Sequence, residues 1–126
     1  MTIAKGNKIP ATTFVKMTEN GPDQVDSESF FKGRKVALFS VPGAFTPTCS
    51  AKHLPGFVEK AEELKAKGVD EIACTAVNDA FVMGAWGKSA SADGKVTMLA
   101  DGNGAFAKAV GLEMDGSKFG MGTRGQ

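Results

Sequence analysis

Three short apolar runs, Val36 to Phe39, Val69 to Val77 and Val96 to Ala100, alternate with stretches of helical periodicity. Each run is bounded by turn residues, so each reads as a strand covered on both faces, the first as a fully buried central one. Between the first two, Leu54, Phe57, Val58, Ala61 and Leu64 recur at helical spacing, with Glu59, Lys60, Glu62, Glu63, Lys65 and Lys67 on the other faces. Pro55 is expected to kink this helix and Gly68 to end it. Asn78-Asp79 can cap the next helix, whose expected inner face is Phe81, Val82, Ala85 and Trp86. Asp101-Gly102-Asn103-Gly104 leads into a short helix, Ala105 to Val110. The order β-α-β-α-β-α with short connections predicts an α/β fold, helices flanking a largely parallel central sheet.

The flanks are less regular. Residues 1–23 are turn-rich, with Thr12 to Met17 a β-prone strand suited to a sheet edge and Ser27 to Phe31 a single helical turn. Residues 111–126 show little periodicity, and the glycine-rich Met121 to Gln126 reads as a connection to something further. Residues 1–126 are thus expected to be one domain, with a truncated form of it the alternative. A chain of 126 residues can bury a real core. The net charge is +1, with no block of like charge to suggest nucleic-acid or lipid binding, and no apolar segment long enough for a signal peptide or membrane span. The cytoplasm is the default location.

The chemistry points to Val41-Pro42-Gly43-Ala44-Phe45-Thr46-Pro47-Thr48-Cys49-Ser50, where the first strand hands over to a helix. Thr46 suits an N-cap and Pro47 the first helical position, because the N–H that proline lacks is unpaired there anyway. Cys49 then falls in the first turn, where unpaired N–H groups and the positive end of the helix stabilise a thiolate. The other cysteine, Cys74, sits in an apolar strand, and the two form no CxxC or Cys/His cluster. Cys74 is expected to be a core thiol, with a resolving or regulatory role the alternative.

With Pro42, Thr46 and Cys49 in place, the stretch resembles the active-site loop of peroxiredoxins, thiol peroxidases of thioredoxin-like fold. The run from Val41 to Ser50 with His53-Leu54-Pro55-Gly56-Phe57, and Val77-Asn78-Asp79-Ala80-Phe81-Val82-Met83 with Trp86, is similar to the peroxiredoxin 5 subgroup. The resemblance implies that Cys49 attacks the distal oxygen of hydrogen peroxide or an organic hydroperoxide and becomes a sulfenic acid. It casts Thr46 as the hydrogen-bond partner of the peroxide and Pro42 as the shield of the sulfur. The family also uses an arginine just before a strand that follows this chain's final segment, and it continues with further strands and a last helix, which this chain is expected to lack. Arg124 is the candidate, with a position beyond Gln126 the alternative.

With no later cysteine, the resemblance implies a 1-Cys cycle. An external thiol system, glutaredoxin with glutathione or thioredoxin, would reduce the sulfenic acid. It also implies a homodimer across the loop and no metal, flavin or nucleotide. His53, four residues after Cys49, is read as a polar neighbour or surface residue, or as a modulator of that thiol. Phe45, Phe81 and Trp86 are read as core residues, or as lining for the site mouth or a dimer contact. Two other functions stay open: a redox sensor, and a non-catalytic truncated form serving as a binding subunit.

Overall fold

Thr13–Thr18 (β1) and Gly21–Asp26 (β2) form an antiparallel hairpin in the computed structural model, which describes residues 2–46, 54–92 and 94–126. Pro47, Cys49 and His53, and with them the expected helix start, lie outside the described residues. The strand β2 was not legible because Asn20-Gly21-Pro22-Asp23 looks like a turn throughout. Proline is tolerated in it because β2 is an edge strand. The strand expected at the edge, β1, is instead interior.

Asp26 closes the hairpin and caps a single turn, Ser27–Phe31 (α1), accepting from Ser29 N. Val36–Ser40 (β3), Glu71–Ala76 (β4) and Thr97–Ala100 (β5) then pair in parallel, giving the order β2-β1-β5-β4-β3. Among the described residues β3 is an edge strand whose five residues are all half-buried, so its expected central position belongs to β4 and β5. An apolar run shows that a strand is covered on its faces and says nothing about its lateral neighbours.

The strand β4 divides the core. Ile72, Cys74 and Ala76 join Val41, Leu54, Ala61, Met83 and Trp86 on one face of the sheet, while Ala73 joins Phe14, Leu99, Phe106 and Val110 on the other. Fully burying an aliphatic or aromatic side chain stabilises by about 1.5–3 kcal/mol, so the two-sided strand anchors the domain.

Leu54–Glu59 (α2) and Ala61–Ala66 (α3) are separate helices. The break falls at Lys60, with φ −97° and ψ 7°, while the residues before Leu54, on which the expected kink at Pro55 depends, lie outside the described ones. Phe57 stacks on Phe39 of β3 with ring centroids 4.0 Å apart, and Gly68, at φ +99°, terminates the run as expected.

Ala80–Ser89 (α4) is capped by Asp79, which accepts from Val82 N at 2.8 Å. Its buried residues are Ala80, Met83, Trp86 and Gly87, while Phe81 and Ala85 face solvent. A Cβ on Gly87 would stand 2.9 Å from Met98 Cγ, and one on Gly84 3.0 Å from Met17 Cβ. The inner face is therefore set by glycines that let the helix approach the sheet, which a count of apolar residues overlooks.

Asp101, nearly fully buried, accepts from both Phe106 N and Ala107 N at 3.0 Å and so caps Ala105–Ala109 (α5). The last residues, without periodicity in the sequence, form Glu113–Asp115 (β6), a 3₁₀ turn at Ser117–Phe119 and Thr123–Gly125 (β7). The two strands pair antiparallel as a small second sheet. Strands of three residues are too short to show an alternation.

Candidate active site

The parallel strands β3 and β4 end side by side, and the residues just after each build the site. Val41, fully buried, continues β3 by donating its N–H to Thr75 O at 3.1 Å. The chain then turns through Pro42 to Thr46. Asn78, two residues past β4, accepts from Ala44 N at 2.9 Å. Thr46 Oγ1 donates to Gly43 O at 2.8 Å. These two bonds hold Phe45 at φ +64°, a left-handed conformation that costs a bulky residue roughly 1–2 kcal/mol.

Arg124 reaches this loop from β7. Its Nε donates to Met121 O at 2.8 Å and its Nη1 to Val77 O at 2.7 Å. A Cβ on Gly43 would stand 3.2 Å from Thr46 Cγ2, 3.6 Å from Met121 Cε and 3.7 Å from Arg124 Nη1. Gly43 is thus the floor on which three side chains meet. The hairpin is carried there by Gly125, whose own Cβ would stand 3.4 Å from both Ser40 Oγ and Ala107 Cβ, against the end of β3 and against α5.

Arg124 is half-buried, forms no ion pair among the described residues, and leaves Nη2 without a hydrogen-bond partner among them. Its charge is held in place by two carbonyls and directed at the loop. The other arginine serves structure. Arg34 pairs with Glu71 at 2.7 Å and lies over the Phe30 ring. Burial pushes the Glu71 carboxyl up, but hydrogen bonds from Thr97 and Arg34 and the charges of Arg34 and Lys16 outweigh it, holding the pKa below its ordinary value of 4.5.

Of the residues singled out in the sequence, Thr46 and Arg124 meet at Gly43, Pro42 is the residue before it, and Cys49 and His53 lie outside the described residues. Thr46 is engaged through its proton, and the N–H groups it would cap are likewise outside. Cys74 is fully buried in β4. Trp86 is core at 1% exposed, but Phe45 at 51% and Phe81 at 66% are not. Sequence reasoning assigned Asn78 only to helix capping and missed its hold on the loop. It also passed over Met121. An asparagine directly after a buried strand was the available signal for the first, whereas Met121 had none. No group of three or more His, Cys, Asp or Glu among the described residues could hold a metal ion.

The model of the redoxin family matches residues 4–125. Peroxiredoxin-2B of Arabidopsis thaliana is 54% identical over 123 residues, spanning 97% of this chain and 76% of that protein. The structure of reduced Prx3 from Vibrio vulnificus in complex with hydrogen peroxide is similar with a TM-score of 0.95 and 52% identity, covering 99% of this chain and 78% of that one. Peroxiredoxin 5 from Alvinella pompejana gives a TM-score of 0.88 at 39% identity, covering 98% of this chain and 79% of that one. With such agreement along nearly its whole length, this chain belongs to the redoxin family and is a peroxiredoxin, a thiol-dependent peroxidase.

Proposed function

We propose that Cys49 is the peroxidatic thiol and that it reduces hydrogen peroxide and organic hydroperoxides. The thiolate attacks one peroxide oxygen, the O–O bond breaks, and the departing oxygen leaves as water or an alcohol after taking a proton. Cys49 becomes a sulfenic acid. The observation that carries this reading is the convergence on the loop that leads to Cys49 of Thr46 and Arg124, a cation without a carboxylate partner among the described residues.

A fixed cation near the reacting sulfur favours the thiolate, and donors aimed at the departing oxygen stabilise the charge that grows there. In this reading Arg124 supplies the cation, and Thr46 anchors the loop through Gly43 O and presents its oxygen to the peroxide. Pro42, half-buried at the end of β3, narrows the approach of water to the sulfur.

The cycle we infer is of the 1-Cys kind. The only other cysteine in the sequence, Cys74, is 0% exposed, which disfavours an internal disulfide without opening of the core. Glutaredoxin with glutathione, or thioredoxin, is the proposed reductant. Exposed Phe45 and Phe81 support a homodimer across the loop, and the cytoplasm is the proposed location.

Rapid mixing with limiting hydrogen peroxide, followed by sulfenic-acid trapping and peptide mapping, tests the central claim. Fast modification at Cys49, absent in Cys49→Ser, is expected. Slow modification, equal at Cys49 and Cys74, would refute it. Sedimentation and cell fractionation test the dimer and the location.

A further inference from the structure

The Cε of Met121 lies 3.6 Å from where a Gly43 Cβ would stand, beside the Arg124 guanidinium. The Met121 carbonyl also holds Arg124 Nε. A half-buried thioether therefore shares the loop with a cation that still has a donor, Nη2, unengaged among the described residues.

We propose that Met121 is a second peroxide-reactive sulfur, an oxidation site through which excess substrate silences the loop. This rests on the peroxidase reading above, since that reading brings peroxide to these residues. The chemistry balances with peroxide as the oxidant. A sulfur lone pair attacks one oxygen, the S–O bond forms as the O–O bond breaks, and the proton of the transferred oxygen passes to the departing one. Sulfur loses two electrons, and the products are methionine sulfoxide and water, or an alcohol from an organic hydroperoxide. A thioether needs no deprotonation, unlike Cys49, but it does need a donor for the departing oxygen, and Arg124 is placed to give one.

The sulfoxide turns an apolar methyl contact into a polar, chiral group. Its oxygen, an acceptor beside Arg124, would compete for the guanidinium and crowd Thr46 over Gly43. Activity lost in this way is recoverable, because methionine sulfoxide reductases restore the thioether.

The test exposes the protein, with its reductant present, to rising hydrogen peroxide and maps oxygen addition by peptide mass analysis. Met17 and Met98 are also half-buried and pack against Gly84 and Gly87 of α4. Sulfoxide is expected at Met121 several-fold faster than at either. Treatment of the inactivated protein with methionine sulfoxide reductase should recover activity in the wild type, with no such recoverable fraction in Met121→Leu. Equal oxidation of the three methionines, or no recovery in the wild type, would overturn the proposal. The same maps report Cys49. Rapid Cys49 oxidation with unselective Met121 oxidation sinks this proposal alone, whereas a slow Cys49 sinks the peroxidase assignment.

Discussion

Arg124 donates through Nη1 to the carbonyl of Val77 at 2.7 Å, tying the last described strand to the residue that follows β4. The bond fixes the guanidinium in a place where nothing neutralises it among the described residues. A second bond, to Met121 O, uses Nε and sets the plane of the fork.

Arg124→Met is expected to slow the oxidation of Cys49 by peroxide by a factor on the order of 10²–10³, the usual loss for one aimed donor. Arg124→Lys should recover little of it, because an ammonium cannot hold two carbonyls and still present a fork of donors. Stopped-flow rates of the two variants check this. A Lys variant as fast as wild type would mean that charge alone matters.

Asn78→Ala removes the acceptor for Ala44 N, leaving a partly buried N–H without its bond. The expected cost is about 1 kcal/mol in urea unfolding. The rate with peroxide should fall further than stability alone explains, because Phe45 at φ +64° depends on its neighbours being held. Comparing the unfolding midpoint with the rate in folding conditions separates the two effects.

Asp101→Ala leaves two amides of α5, Phe106 N and Ala107 N, without the carboxylate that serves both. A loss of about 2 kcal/mol is expected, large for a helix of five residues. Denaturant unfolding measures it, and a change below a few tenths of a kcal/mol would show that water replaces the cap.

Glu71 gives a pH dependence of known sign. Its folded pKa lies below 4.5, so its contribution to stability is present above that value and is lost as pH falls through the folded pKa. In Glu71→Gln the stability deficit relative to wild type should be full at pH 7 and shrink at pH 3.5. The pair is partly exposed, so added salt should also reduce the deficit. Urea titrations at both pH values check it.

Local chemistry is what a sequence displays, and here it reached far. The parallel strands announced themselves because both faces of β4 are covered, Ile72 and Cys74 on one side and Ala73 on the other. Asp79 declared its helix, and the resemblance carried by Pro42, Thr46 and Cys49 pointed to the chemistry. Tertiary structure decided everything that depends on distance across the chain. Among the described residues it left β3 with β4 as its one lateral neighbour, because lateral neighbours leave no periodic trace. It turned α4 inward by Gly84 and Gly87, whose value is the absence of atoms. It carried Arg124 to Gly43 on a hairpin too short to have a pattern. That arginine was a candidate through the resemblance alone, and Val77 O and Met121 O are what hold it beside the loop.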